Sequence, residues 1–327
     1  MIVVRTPFRV SFLGGGTDIE YFYKEHGGCV LSTAIDKYSY LSMHKSFHDS
    51  TSLIKYSRTE TVDAIEDIQH PIIREVFSMY GIEGVDFASA ADIPAGTGLA
   101  SSSAFTCGMI KICDEFTGQF REQIEIADLA CEVEIERLRE PIGKQDQYGC
   151  AVPGLKKIEF NPDGTVDVSP ILLKSAARAR LEDSLTLLYV GGTRSASAQL
   201  ETQKKTVASN EQLTANLKEM ANQARVFTDE IADKPDDLGA YLHEGWERKK
   251  RLSPHVSNPH IDALYERALA AGATGGKLLG AGGAGFLLLH APGARDAIED
   301  AFQDMKLQRI RIDTSGTTVV HNDTGKV

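Results

Sequence analysis

Residues 94–104 read PAGTGLASSSA, a proline, two glycines and a run of small hydroxylated residues set directly before an apolar helical pattern. Small residues at a loop-to-helix junction expose several backbone N–H groups at one point, and the helix dipole adds positive potential there. That combination suits a phosphate. Gly96 and Gly98 let the chain approach an anion closely, while Ser101, Ser102 and Ser103 offer an N-cap and hydroxyl ligands. Behind them Phe105, Met109, Ile112, Cys113 and Phe116 recur at helical spacing, which predicts a helix over 104–116 anchored in a core. Taken alone, the stretch also reads as an ordinary Gly/Ser turn before a helix.

The chain has 327 residues, more than one ordinary core requires, and its 42% hydrophobic content is enough to fill two domains. Charged residues make up 25% and no low-complexity tract interrupts them, so a folded chain is expected. A formal net charge of -11 opposes binding to nucleic acid or an anionic membrane, although a local basic pocket could still hold a phosphorylated metabolite. The expected partner is a small molecule. The start, MIVVRTPFRVSF, has no long apolar segment, and GFLLLHA is far short of a membrane span, so the expected location is cytoplasmic. Cys29, Cys107, Cys113, Cys131 and Cys150 lack metal-binding or paired spacing and read as reduced core residues, and the nine histidines form no ligand motif.

Strands are expected over 2–13, 29–36, 38–46 and 85–92, followed by a second helix over 123–139 whose apolar stripe is Ile126, Leu129, Ala130 and Val133. A loop with IGKQDQYG and a strand over 155–161 come next. The polar stretch SAARARLED places a domain division near residue 175, giving domains of 1–175 and 176–327. Beyond it the pattern predicts a strand over 185–192, helices over 197–232, 237–251, 259–271 and 294–305, and terminal strands over 308–314 and 317–321. Strands and helices in that order suggest an α+β sandwich with an antiparallel sheet.

Two further glycine-rich segments flank this frame. In RVSFLGGGTD, residues 9–18, a strand ends in Gly14, Gly15 and Gly16 and then presents Thr17 and Asp18. The glycines allow close backbone approach to a ligand, and an aspartate beside them can accept hydrogen bonds from sugar hydroxyls. In KLLGAGGAGF, residues 277–286, Gly280, Gly282 and Gly285 satisfy GxGxxG formally. A dinucleotide fingerprint needs a helix directly after the glycines, and here they run into the apolar strand FLLLH. A Walker A loop is absent too, since Leu278 follows Lys277 where Ser or Thr is needed. These glycines, Gly282 and Gly283 among them, form a tight connection lying close to something else.

In their order and spacing the three segments resemble the motifs of the GHMP kinase family, and the resemblance covers nearly the whole chain. The second motif of that family, PxxxGLGSSAA, is matched by Pro94, Gly98, Leu99, Ser101, Ser102 and Ala104, with Ala100 and Ser103 as other small residues. Within the family, RTPFRVSFLGGGTDIEYFY and KLLGAGGAGFLLL are most similar to the bacterial D-glycero-D-manno-heptose 7-phosphate kinases. Galactokinases carry a Glu-His pair where this chain has Gly15 and Gly16.

The resemblance implies a two-domain GHMP kinase fold, with an N-terminal domain like domain 2 of ribosomal protein S5 and a C-terminal ferredoxin-like α/β sandwich, and with ATP and sugar in the cleft between them. It implies that the loop of Pro94, Ala95, Gly96, Thr97, Gly98, Leu99, Ala100, Ser101, Ser102 and Ser103 wraps the nucleotide phosphates and that Ser102 binds Mg²⁺. A magnesium carboxylate would come from the helix before Gly143, where Glu132, Glu134 and Glu136 compete. At about 100° per residue Glu136 lies nearest the apolar stripe, and the Glu136–Arg137 pair matches the family, so Glu136 is the expected ligand and the other two read as a solvated acidic face. Asp146 takes the place of the catalytic base and Arg9 that of the neighbouring cation, though taken alone Asp146 is an ordinary turn residue. Gly15, Gly16, Thr17, Asp18, Gly282 and Gly283 fall to the substrate. The expected reaction is phosphorylation of the anomeric O1 of a heptose 7-phosphate, with an unphosphorylated sugar or a non-catalytic sugar sensor as alternatives. Lys144, Lys174, Arg178 and Arg180 are candidates for holding the distal phosphate.

Overall fold

The computed structural model describes residues 1–47, 51–192 and 210–323. Two long strands carry its first sheet. β1 (Ile2–Leu13) pairs antiparallel with β2 (Gly28–Lys45) along nearly its whole length, from Ile2 opposite Met43 to Leu13 opposite Leu31. β2 is one strand of 18 residues where two were expected. Its first half pairs with β6 (Leu155–Phe160) and its second half with β5 (Val85–Ala91), so the strand changes partner without stopping. Asp36, the last residue of the first of those two expected strands, sits at that change and is tied to a distant segment. Its N–H donates to Arg311 O at 3.0 Å, and its Oδ1 accepts from Arg311 N at 2.8 Å.

β3 (Ser52–Lys55) runs parallel to β5, β4 (Thr59–Val62) pairs with β3, and β7 (Val166–Pro170) pairs with β6. Helices α1 (Glu20–His26), α2 (Pro71–Tyr80), α3 (Ser101–Thr117), α4 (Gln123–Cys131) and α5 (Gln145–Ala151) belong to this half. α3 packs against β1 and β2 on one side and α2, α4 and α5 on others, which fixes the direction in which its N-terminus points. After α4 the helix continues from Glu132 to Arg137 as a π-helical turn, marked by Leu138 N–H donating to Val133 O at 3.0 Å. α2 went unread in the sequence although it carries both end signals, Pro71 in its first turn and Gly81 left-handed after its last.

The second sheet has the order β11-β8-β10-β9, made of β8 (Leu185–Gly191), β9 (Gly275–Leu278), β10 (Gly285–His290) and β11 (Leu307–Arg309), all antiparallel. Renumbered within the segment this is 4-1-3-2, with helices between the first two and the last two strands, the ferredoxin-like arrangement. The helices here are α6 (Ser175–Ser184), α7 (Glu211–Glu230), α8 (Leu238–Lys250), α9 (Pro259–Ala270) and α10 (Arg295–Ala301). The segment read as a polar divider, 175–183, is therefore a helix. It buries only Ala177, Leu181 and Ser184, too few to leave a clear stripe. The helix expected over 197–232 is seen from Glu211 to Glu230, and its expected start lies outside the described residues.

One expectation about the domains is corrected by the end of the chain. The two terminal strands do not share a sheet: β11 belongs to the second, whereas β12 (Thr318–Asn322) returns to pair with β1 in the first, and Ile312 bridges Ile35 on the way. The domains also share one apolar core, in which Phe8, Val10 and Phe12 of β1 meet Leu187, Phe227, Leu242 and Leu288 of the C-terminal half. All five cysteines are buried and free.

The glycines of the third segment have a steric purpose. Gly98 of the phosphate-type loop and Gly280 lie backbone against backbone: a Cβ on Gly280 would sit 2.6 Å from Gly98 Cα, and one on Gly98 would sit 2.7 Å from Leu279 O. Both have left-handed φ, 85° at Gly98 and 68° at Gly280. Gly280→Ala is expected to destabilise the protein by roughly 3 kcal/mol, from backbone strain plus a clash between parts that cannot swing away. Gly118→Ala has the same handedness at φ 72° but open space, and should lose only about 1 kcal/mol. Urea unfolding of the two variants checks this, and equal losses would remove the contact argument.

Candidate active site

The loops of the first sheet face the third glycine segment across a cavity of about 750 Å³, within the range of small-molecule sites. α3 points into it. Its cap residue, Ala100, is left-handed at φ 63° and has no side-chain oxygen, so no side chain caps the helix and its first-turn N–H groups are left for a ligand. The serines do not serve as N-caps. Ser101 Oγ accepts from Gly96 N at 3.4 Å, Ser102 is exposed at the cavity, and Ser103 is buried with its Oγ donating to Glu134 at 2.8 Å. Ala95, Gly96, Gly98, Ala100, Ser101 and Ser102 line the cavity. Pro94, Thr97, Leu99 and Ser103 do not: Thr97 Oγ1 closes the turn onto Pro94 O at 2.9 Å, and Leu99 is packed in the core.

Arg9, on β1, is buried and binds two things at once. Its Nε and Nη2 both donate to Asp146 Oδ1, at 2.9 and 2.6 Å, and its Nη1 donates to Gly98 O at 2.8 Å. Asp146 stands in the first turn of α5, is 26% exposed, and lines the cavity. Its Oδ2 has no hydrogen-bond partner among the described residues. The carboxylate is thus held by one oxygen and available through the other.

Asp18 lies beside it, 2% exposed. Its Oδ1 accepts from Gly16 N at 3.0 Å and Gln145 Nε2 at 2.8 Å, and its Oδ2 accepts from Gln145 N at 3.2 Å. Burial, and then the negative charge of Asp146, push its pKa up to about 6. Gly15 and Gly16 line the cavity, as does Gly282. Thr17 and Gly283 do not. The Thr17 hydroxyl donates to Gly14 O at 2.7 Å and accepts from Cys29 N at 3.1 Å, pinning the turn from below. Gly283 N donates to Val256 O at 3.0 Å and so holds a neighbouring loop. Ser11 Oγ and Gln145 Oε1 are buried at the cavity without a partner among the described residues, which marks them as groups for ligand hydroxyls.

The carboxylate expected from α4 is corrected. Glu136 is exposed, while Glu134 is 1% exposed and lines the cavity. The π-helical turn explains the exchange: it fits more residues into each turn than an α-helix, so a phase extrapolated at about 100° per residue overshoots. Glu134 Oε2 accepts from Ser103 Oγ at 2.8 Å and Gln147 Nε2 at 2.7 Å. Burial raises its pKa to about 7, against the lowering effect of its hydrogen bonds to Ser103, Gln147 and Ser102. Arg137 pairs with Glu132 and Glu75, not with Glu136.

Three groups escaped the sequence reading. Lys249 and Lys277 line the cavity, while the four cations proposed from sequence lie elsewhere: Lys144 Nζ donates to Gly164 O, Arg178 pairs with Glu182, Arg180 pairs with Asp236, and Lys174 is exposed. The third is an aromatic end of the cavity, where His70 packs edge-on to Tyr56 and tilted to Phe105, beside Ile72 and Leu138. His70 Nδ1 is buried without a partner among the described residues.

The profile for the GHMP kinases N terminal domain matches residues 67–154, and that for the GHMP kinases C terminal domain matches 229–306. The chain is 30% identical over 300 residues to the D-glycero-alpha-D-manno-heptose 7-phosphate kinase of Campylobacter jejuni subsp. jejuni, covering 88% of both chains. The chain belongs to the GHMP kinase family. It is also 26% identical over 322 residues to the bifunctional fucokinase/GDP-fucose pyrophosphorylase of Arabidopsis thaliana, covering 90% of this chain and 30% of that protein. A crystal structure of a D-glycero-D-manno-heptose 1-phosphate kinase from Bacteroides thetaiotaomicron superposes with a TM-score of 0.79 at 21% identity, covering 98% of this chain and 99% of that one. The GHMP kinase fold and an ATP-dependent sugar kinase activity follow for this chain. No helix among the described residues is long and apolar enough to cross a membrane.

The position of Asp18 sets a pH dependence. A buried acid with a raised pKa holds its proton more tightly in the folded state than in the unfolded state, so its contribution to stability declines as pH climbs from about 4 to about 6. The carboxylate that can accept from a sugar hydroxyl prevails only above about 6. The KM for the sugar should therefore rise roughly tenfold per pH unit below that point. In Asp18→Ala the KM should be high and this acid limb gone. A profile of kcat/KM between pH 5 and 8 measures both, and an unchanged limb in the variant would assign it to another group.

Proposed function

We propose that this GHMP kinase transfers the γ-phosphoryl group of ATP to the anomeric O1 of D-glycero-D-manno-heptose 7-phosphate, giving the 1,7-bisphosphate for nucleotide-activated heptose and surface-polysaccharide synthesis. The observation that carries the reading is Asp146, held by Arg9 through Oδ1 alone, in one cavity with the uncapped N-terminus of α3. The Campylobacter relative named for this substrate supports the choice of sugar.

The O1 hydroxyl gives its proton to Asp146 Oδ2 as the bond from O1 to the γ-phosphorus forms. The bond from that phosphorus to the bridging oxygen breaks, and ADP leaves. Arg9 orients Asp146 and brings a fixed positive charge beside the reacting atoms. The open N–H groups of α3 and the loop from Ala95 to Ser102 hold the phosphates. Gly15, Gly16, Asp18, Ser11 and Gln145 orient the sugar, with Gly282 on the opposite wall. The base lies between Tyr56, His70 and Phe105. Burial lowers the pKa of His70, so its neutral ring offers one donor and one acceptor to a purine edge.

The residues present also fit a magnesium ion. Glu134 and Ser102 provide hard oxygen donors at the mouth of α3, and phosphate oxygens would complete the shell. When bound there, magnesium would neutralise charge on the β- and γ-phosphates.

Purified protein with ATP, magnesium and a panel of sugars, with products read by phosphorus NMR, tests the substrate. Turnover of free sugars such as fucose with none on the 7-phosphate would overturn it. Asp146→Asn should lower kcat by about 10²- to 10⁴-fold with little change in either KM, and near-normal turnover would remove Asp146 as the base. Glu134→Gln should raise the magnesium concentration for half-maximal rate roughly 10- to 100-fold, whereas Glu136→Gln should leave it within about twofold, as for a solvated surface residue. The reverse pattern would restore Glu136 as the ligand.

A further inference from the structure

Arg9, Lys249 and Lys277 bring three cationic side chains to one wall of the cavity. Arg9 is neutralised by Asp146 at 2.6 Å. The two lysines have no carboxylate within ion-pair distance among the described residues, and backbone carbonyls take their protons. Lys277 Nζ donates to Phe12 O at 2.9 Å, while Lys249 Nζ donates to Leu278 O at 2.9 Å and to Gly280 O at 2.5 Å. Lys277 is 6% exposed and Lys249 half-buried. An ammonium carries three N–H groups, so two remain on Lys277 and one on Lys249. Those three match the three terminal oxygens of a phosphomonoester.

We infer that Lys249 and Lys277 are the receptor for the phosphate already present on the acceptor sugar, and so the residues by which this kinase prefers a sugar phosphate to a free sugar. This rests on the kinase reading above. The location favours the sugar over the nucleotide. Lys277 is tied to Phe12, three residues along β1 from Arg9 and next to the Gly14–Gly16 turn, roughly 10 Å from the reacting end at strand spacing. That is the scale of a heptose ring between its anomeric oxygen and a phosphate on the exocyclic chain. Nor is either charge neutralised by the protein: burial, followed by the neighbouring cations, lowers the pKa of Lys277 well below that of a free lysine, and burial and Arg9 bring Lys249 to about 7. A dianion at this wall would reverse both effects.

The test compares D-glycero-D-manno-heptose 7-phosphate with unphosphorylated D-glycero-D-manno-heptose, by calorimetric binding and by steady-state rates, in the wild type, Lys277→Met and Lys249→Met. Methionine keeps most of the stem and removes a buried charge, so both variants should fold, and thermal melting of each confirms it before the comparison. The wild type should bind the phosphorylated sugar at least tenfold more tightly. Each variant should lose about 10- to 100-fold on the phosphorylated sugar and no more than about twofold on the free sugar and on MgADP. A loss on MgADP in place of the sugar phosphate would assign the pair to the nucleotide and overturn the inference. Equal losses on both sugars would also overturn it, by making the lysines structural. A wild type that phosphorylates free heptose without preferring the 7-phosphate would overturn it while the kinase reading stood, whereas a wild type that phosphorylates no sugar would remove the kinase reading itself. If one methionine variant does not melt cooperatively, the other and Lys277→Arg, expected to keep at least a tenth of the wild-type preference, decide the matter.

Discussion

The contact on which this active site depends is between two stretches of bare backbone. Gly98 and Gly280 touch where the phosphate-type loop of the first domain meets the third glycine segment of the second, and neither has space for a methyl group. Charged side chains are tied to the same seam. Arg9 donates to Gly98 O and Lys249 to Gly280 O, so the guanidinium that fixes Asp146 and one ammonium of the unpaired lysines are both positioned by carbonyls of the contact. Because the domains also share a core through Phe8, Phe12, Leu187 and Leu288, the geometry of the cleft is fixed by folding. A hinge at this seam would have to break an apolar core and a backbone contact together.

The cavity gathers charges of both signs: Asp18, Glu134, Glu140 and Asp146 line it with Arg9, Lys249 and Lys277, and Arg9 pairs with Asp146. Burial pushes four of them toward the neutral form: the pKa values of Asp18 and Glu134 rise and those of Lys249 and Lys277 fall. Strongly perturbed titratable groups gathered in one cavity are the pattern expected where binding and catalysis set the charges.

What the sequence disclosed and what it hid follow one physical distinction. Requirements imposed by backbone geometry were legible, because they demand particular small residues at particular places. PAGTGLASSSA announced a loop leading into a helix whose first turn faces a cavity, and the glycines after Lys277 announced a close approach. Even so, their partner proved to be Gly98, with Gly283 turned away from the cavity. Requirements that depend on which side chain faces inward were legible only where the helix or strand kept a regular period. A single π-helical turn moved the inward position from Glu136 to Glu134, and no residue in 132–137 signals that turn. Thr17 sits among ligand-binding residues in the chain but is spent on the underside of the turn. Lys249 and Lys277 could not be told from solvated lysines, since their burial arises from the meeting of β1 with β9 and α8, three elements far apart in sequence.

Much of the chain obeys the rules that make sequences foldable: alternating strands, apolar cores and buried reduced cysteines. Several exceptions gather at the cleft. Ala100 is one of two residues other than glycine with positive φ among the described residues, and it caps α3, whose first turn lines the cavity; the other, Arg139, follows the π-helical turn that delivers Glu134. Left-handed backbone at residues with a Cβ costs about 1 kcal/mol or more each. The raised acids and the unpaired lysines add further cost within the same cavity. Local strain of this kind persists only when surrounding structure over-determines it, and here that structure is the Gly98–Gly280 seam and the core shared by the two domains. Each exception removes a partner that a helix end, carboxylate or ammonium would otherwise find inside the protein. Together they leave those groups facing one cavity.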